Sequence, residues 1–239
     1  MAMAITVREV SGPSVKAAAH ETIVYLVRHG YGAHNAFAAR FDKPCNCRTG
    51  GSCAYINDAH VDARLIEKGR RQAVAAGCTI RSFNPAPSVA YVSPLRRTLE
   101  TAAIALTGSG GTGPDIGVPL VACELIREVY GIHHCDQRNP VVDARAEWPV
   151  IDYSAVGTDA DTWHKEDVRE TVEEAAARAT KFLLMLRDRP ERVVVAVTHS
   201  AFLREMLAHA VAVEAGHGEV RRRFETGEVR PVVISFRDA

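Results

Sequence analysis

The chain predicts an α/β fold: a three-layer α/β/α sandwich with a mainly parallel central sheet covered by helices on both faces. Two observations carry this. Short apolar runs rich in β-branched residues alternate with helix-period segments along the 239 residues. Several of those runs also stop abruptly on polar, chemically capable residues, at the carboxyl ends of strands where open α/β sheets gather their ligands.

The elements follow in order. Residues 1–20 carry Arg8, Glu9 and Lys16 before any apolar core builds up, so they read as a flexible N-terminal segment and not as a secretory signal. Thr22–Val27 is the first strand, and it ends at Arg28-His29-Gly30. Residues 36–61 are polar, cysteine-bearing and aperiodic, the pattern of a long insertion loop. Leu65–Ala76 reads as a helix that Asp62 starts. Asn84-Pro85 and Ser93-Pro94 bracket a second strand, Ser88–Val92, which leads into the helix Leu95–Ala105. A flexible connection, Gly108–Gly113, precedes the short strand Pro119–Val121, and Asp136–Lys165 is irregular. In the helix Asp167–Arg187, Val168, Val172, Ala175, Ala179, Phe182, Leu183 and Leu186 form one apolar stripe, with Glu170, Glu173 and Glu174 off it; the stripe is core. Strand Arg192–Thr198, helix Ala201–Val213 and strand Val232–Phe236 complete the series. No repeat, heptad or linker divides the chain, so residues 1–239 read as a single domain.

Composition excludes several classes. The 29 basic residues balance the 29 acidic ones, so no global field points to nucleic acid or an anionic membrane. No apolar run approaches the ~20 residues of a membrane span. Six cysteines in a chain of this length do not form a disulfide scaffold, and reduced thiols in the cytoplasm are the simplest account.

The chemistry gathers at strand ends. Arg28 can hold an anionic oxygen bidentately, and His29 is suited to nucleophilic or proton-transfer work near neutral pH. Ser88–Val92 leads to Ser93-Pro94-Leu95-Arg96-Arg97-Thr98, and Arg192–Val197 to Thr198-His199-Ser200. Between them lies Glu124-Leu125-Ile126-Arg127-Glu128, with Tyr130-Gly131 close behind. A shared switch point brings two histidines, two arginines and a carboxylate together.

This ordered set resembles the histidine phosphatase superfamily, also called the phosphoglycerate mutase-like family. Its Arg-His-Gly with an Asn five residues past the Gly is matched by Arg28-His29-Gly30 and Asn35. Its Ser-x-Leu-x-Arg is matched by Ser93, Leu95 and Arg97, and its strand–His–helix motif by Val195 to Arg204. Its Leu…Gly-x-x-Gln helix entry has a counterpart in Leu65, Gly69 and Gln72. The resemblance implies the phosphoglycerate mutase-like fold and a metal-independent phosphomonoester hydrolase with no cofactor. In it His29 attacks phosphorus, and Arg28, Arg97 and His199 surround the transferring oxygens, with Asn35 donating to them. Ser200 stands where a Gly is frequent and joins the substrate-binding set. Arg96 is a solvent-facing neighbour. Glu128 is the acid that protonates the leaving oxygen, with Glu124 in reserve; either needs a raised pKa for that work. Within the segment Arg127 to Arg138, the resemblance makes His133 and Arg138 leaving-group contacts.

The resemblance implies a small phosphorylated substrate, no nucleic-acid or membrane partner, and leaves a homodimer open. Mutase-type phosphoryl transfer is the runner-up, since the glycolytic mutase's own Glu-Arg-His-Tyr-Gly segment is absent. A non-catalytic phospho-ligand module is the reading from another class, and the survival of both histidines and both arginines weighs against it. Cys45, Cys47, Cys53 and His60 offer zinc-type donors at a spacing that matches no standard finger, so passive thiols in a long loop are the preferred reading.

Overall fold

The computed structural model describes residues 3–41, 45, 53–108 and 115–238. Their strands are β1 (Met3–Glu9), β2 (Glu21–Arg28), β3 (Val89–Val92), β4 (Leu120–Ala122), β5 (Ile151–Asp152), β6 (Val193–Thr198), β7 (Ala212–Val213) and β8 (Val229–Asp238). The helices are α1 (Ala33–Ala38), α2 (Glu67–Ser82), α3 (Arg96–Thr107), α4 (Val141–Glu147), α5 (Val172–Asp188) and α6 (Ser200–Glu205), the last continuing as a wide turn over Met206–Ala210. The strands form one sheet in the order β5-β4-β3-β6-β2-β8-β1-β7. From β5 to β2 every pairing is parallel, while β8 runs antiparallel to both β2 and β1.

All eight residues of β2 are buried, which is what a strand covered on both faces requires. Its side chains alternate between two cores. Ile23, Tyr25 and Val27 join Ala76 and Ile80 of α2 and Leu99, Ala102 and Leu106 of α3. Val24 and Leu26 join Phe182, Leu183 and Leu186 of α5 and Phe202 and Leu203 of α6. The helices thus cover both faces of the sheet, and none is long and apolar enough to cross a membrane.

Several expectations need correction. The N-terminal segment is not a flexible leader: Met3–Glu9 is a strand between β8 and β7, with Ile5 and Val7 buried. Its polar alternates hide it in the sequence, and Arg8 is buried enough to pair with Glu21. Asp62 does not start α2, whose first turn has no side-chain cap. Its carboxylate instead accepts from Arg96 N (2.8 Å), at the start of α3, and from Asn139 N (2.9 Å). Helix α5 begins at Val172, because Thr171 and Glu174 cap it reciprocally. Val168 therefore lies outside the helix and is half exposed, whereas Glu170 is buried against Arg178. The irregular stretch 136–165 contains α4 and edge strand β5, both too short to leave a periodic signal.

The Leu65-to-Gln72 match has a packing cause. A Cβ on Gly69 would lie 2.3 Å from Tyr31 O, and one on Gly30 would lie 2.4 Å from Gly69 O. Helix α2 therefore touches the backbone just past His29, and Gln72 Oε1 accepts from Tyr31 N (2.8 Å). Gly69→Ala should lower stability by about 1–3 kcal/mol by overpacking and should displace His29. Urea unfolding tests this, with Gly157→Ala, open on all sides, as the unaffected control. A Gly69→Ala midpoint equal to wild type would contradict the close-contact account.

Candidate active site

The sheet register brings the site together. Arg28 pairs with Thr198 in the β2–β6 ladder, and His29 N donates to Thr198 O (3.0 Å). Ser93 N donates to Val197 O (3.0 Å), so His29, Ser93 and His199 leave three adjacent parallel strands at one level. The rings of His29 and His199 lie 5.2 Å apart. Above them opens a cavity of 560 Å³, lined by Arg28, His29, Asn35, Arg97, Glu128, His133 and Ser200 from the expected set.

His29 is 2% exposed, and its Nδ1 sits 2.7 Å from Gly30 O. A carbonyl only accepts, so Nδ1 carries the proton and Nε2 keeps the lone pair. Burial, reinforced by the charges of Arg97 and Arg28, holds the ring well below the ordinary histidine range, so it is neutral at physiological pH. A neutral imidazole with a directed second nitrogen is the form a nucleophile requires.

Arg97 is 1% exposed and held on three sides. Its Nε donates to His199 Nδ1 (3.2 Å), Nη1 to Cys135 O and Nη2 to Asp136 Oδ1 (2.8 Å). A guanidinium has five N–H groups, so one remains on each terminal nitrogen for an anionic oxygen. Because His199 Nδ1 accepts, its Nε2 is the protonated nitrogen and donates to Ser93 Oγ (2.7 Å). His199 is fully buried and does not line the cavity; it stands behind Arg97 and orients it. Arg28 donates through Nη1 to Phe224 O (2.6 Å), while its Nε is buried with no partner. Asn35 Oδ1 accepts from Gly32 N (3.0 Å), which leaves its amide NH₂ as the donor group.

Glu128 lines the cavity, and its carboxylate accepts from Ala201 N (3.2 Å) and Phe202 N (2.8 Å) at the start of α6. Glu124 turns away to Arg127 and Arg138. Arg138 does not line the cavity: its guanidinium is used up on Glu124 and on the carbonyls of Asn139, Asp159, Thr158 and Ala160. Its place in the structure is to fold the 158–160 loop. Arg96 also lies outside the lining, beside Glu147. His60 stacks on Phe37 rather than joining the cysteines, and Cys47 lies outside the described residues.

Three site residues escaped the sequence reading. His34 is buried 5.6 Å from His29, with Nδ1 unpartnered; its signal was only a second histidine beside Asn35. Asp136 and Arg169 are the others, linked at 2.9 Å. Burial alone would raise the Asp136 carboxyl, but the hydrogen bond from His133 and the charges of Arg169 and Arg97 prevail and hold it well below its usual range. It is thus the buried counter-charge of the site. Asp136 lies within the Arg127–Arg138 segment of the resemblance but has no role assigned there, and Arg169 lies outside every motif, 33 residues along the chain.

The neutral histidines set a pH dependence. His29, His34 and His199 are all held well below the ordinary value, by burial first and then by Arg97. As pH falls through about 6.5 the unfolded chain protonates at these sites and the folded chain does not. Stability present above that pH is then lost below it, at up to about 1.4 kcal/mol per pH unit for each ring. The lowered carboxyls, Asp136 among them, act only near pH 4 and below. Urea titrations between pH 7.5 and 5 should show this decline, and a smaller one in His34→Gln. A flat profile would contradict neutral buried rings.

Comparison with known proteins agrees with this geometry. A family model described as histidine phosphatase superfamily (branch 1) matches residues 24–236. The chain is 33% identical over 238 residues to phosphoglycerate mutase-like protein 1 of Arabidopsis thaliana, a match covering 88% of this chain and 80% of that one. Among solved structures it is similar to the alpha-ribazole phosphatase of Shigella flexneri (TM-score 0.53, 16% identity, covering 87% and 88% of the two chains). It is also similar to a phosphoserine phosphatase of Entamoeba histolytica (TM-score 0.50, 17% identity, 91% and 98% covered). The motif order, the sheet and these matches converge: the chain belongs to the histidine phosphatase superfamily.

Proposed function

We propose that the protein is a phosphomonoester hydrolase working through a phosphohistidine at His29. The observation that carries this is the hydrogen bond from His29 Nδ1 to Gly30 O, which leaves a neutral, buried Nε2 lone pair at the floor of a cationic cavity. Nε2 attacks phosphorus in line, the P–O bond to the leaving group breaks, and Glu128 gives that oxygen its proton. Arg28, the remaining N–H groups of Arg97 and the Asn35 amide take up the charge on the equatorial oxygens. His199 acts through Arg97. Water then attacks phospho-His29 with Glu128 as base, releasing phosphate and restoring both groups. No step needs a metal, since the guanidinium charges supply the electrostatic stabilisation.

Among the described residues, seven arginines line the cavity against two carboxylates, Glu128 and Asp136. Arg222 and Arg204 are paired with glutamates, but Arg223 makes no ion pair among the described residues. A small substrate bearing an anionic group beyond its scissile phosphate suits this wall. The names of the solved neighbours support hydrolysis, and the name of the Arabidopsis relative favours the alternative, transfer to a second hydroxyl of the substrate.

Rapid quench with an aryl phosphate should trap an acid-labile phosphate on His29, absent in His29→Ala. Glu128→Gln should keep most turnover on a nitrophenyl ester, whose leaving group departs with little protonation, and lose about 10²-fold or more on an alkyl phosphate. Label on another residue, or equal losses on both esters, would overturn the assignment. A phosphorylated isomer as the main product, rather than phosphate, would favour the mutase reading.

A further inference from the structure

One cluster beside the cavity has no part in this chemistry. Cys45 Sγ and Cys53 Sγ lie 2.9 Å apart, and His133 Nε2 lies 3.2 Å from the first and 3.4 Å from the second. These three donor atoms are within 4.8 Å of one another and come from two parts of the chain, His133 lying 80 and 88 positions from the cysteines. We propose that Cys45, Cys53 and His133 bind a zinc ion that ties Cys45 and Cys53 to the wall of the active-site cavity.

The donor chemistry points to this metal class. Two thiolates and an imidazole suit Zn²⁺ and disfavour the hard cations Mg²⁺ and Ca²⁺. Donors around one tetrahedral zinc, at ~2.3 Å for sulfur and ~2.0–2.1 Å for nitrogen, stand ~3.5–3.8 Å apart, so these atoms need to spread by under about 1 Å. They supply three corners of a tetrahedron.

A second observation is independent of the sulfur atoms. The other ring nitrogen of His133, Nδ1, lies 3.5 Å from Asp136 Oδ2. A carboxylate behind a ligating imidazole is the usual outer support of a zinc-bound histidine, fixing its tautomer and raising its basicity. Here the same carboxylate holds Arg97 through Oδ1 and Arg169 through Oδ2. The ion is therefore linked through His133 and Asp136 to the guanidinium that grips the substrate. The chain next to Cys53 already leans on this wall: Tyr55 packs 5.0 Å from the His133 ring, and its carbonyl accepts from His134 N (3.0 Å). Binding displaces both thiol protons to solvent, so uptake strengthens as pH rises. The reaction at His29 does not pass through the ion.

The test reads metal content, not turnover. The full chain, reduced with a phosphine, loaded with zinc chloride and desalted, should retain about one zinc per chain by elemental mass spectrometry. Cys45→Ser, Cys53→Ser and His133→Ala should each fall to background, while Cys78→Ser, an exposed cysteine elsewhere, should match wild type. His29→Ala should also retain zinc, which separates this result from the fate of the phosphatase reading. Circular dichroism of the serine variants, with Cys45 exposed and Cys53 only half buried, should match wild type and exclude misfolding. Cobalt(II) in place of zinc should give thiolate charge-transfer absorption that Cys45→Ser weakens. Wild type retaining no more zinc than the Cys45→Ser/Cys53→Ser double variant would overturn the proposal. So would a Cys45–Cys53 disulfide forming in air in a chain that takes up no zinc when reduced.

Discussion

The parallel ladder between β2 and β6 runs from Ile23 opposite Val193 to Arg28 opposite Thr198, and the rest of the site depends on where it stops. Because the pairing is parallel, both strands end on the same edge of the sheet. The histidine that follows each one therefore emerges beside the other. Adding β3 in register with β6 places Ser93 next to His199, and α3, which starts directly afterwards, carries Arg97 into the same space. A slip by one residue would turn Ile23, Tyr25 and Val27 toward the opposite core and would carry His29 away from His199. The two apolar cores that flank β2 thus set the geometry of the polar site as firmly as they stabilise the sheet.

Within that frame the electrostatics are arranged around one buried carboxylate. Arg97, Arg169 and the His133 ring converge on Asp136, and three histidine rings nearby are kept neutral by the same burial and the same guanidinium charge. Neutral rings let cations crowd the site without mutual repulsion through imidazolium. They also leave His29 with a lone pair on Nε2, while His199 is committed to Ser93 and Arg97. The two rings are thus held differently, His29 through Nδ1 and His199 through both of its nitrogens. The cost is stability in acid, where each buried ring resists a proton that the unfolded chain accepts.

Much of this was legible from sequence for a physical reason. Strands covered on both faces are continuous apolar runs, and their abrupt ends mark the functional edge, so His29, Arg97 and His199 announce themselves. The Leu65-to-Gln72 helix entry was legible as a pattern, but its cause, a backbone contact that leaves no room for a Cβ at Gly69, needed coordinates. Short or half-exposed elements stayed hidden: β1 with its polar alternates, two-residue β5 and seven-residue α4. So did every role set by a distant partner. Arg138 looked like a substrate contact and is a loop-folding residue, because the carbonyls that occupy it lie about twenty positions away. Proximity in the chain offers His60 as the imidazole nearest the cysteines, whereas the folded chain brings His133 to Cys45 and Cys53 from 88 and 80 positions away.

In the proposed reaction His29 Nε2 takes the phosphoryl group, with the surrounding cations placed for its transition state. A crystal structure of the protein with vanadate tests it most directly, because vanadium adopts the five-coordinate geometry of in-line transfer. Expected are a bond from vanadium to His29 Nε2, equatorial oxygens on Arg28, Arg97 and the Asn35 amide, and the Glu128 carboxyl against the apical oxygen opposite His29. Vanadate held only by the rim arginines Arg221 to Arg223, or bonded to another side chain with His29 turned aside, would contradict it.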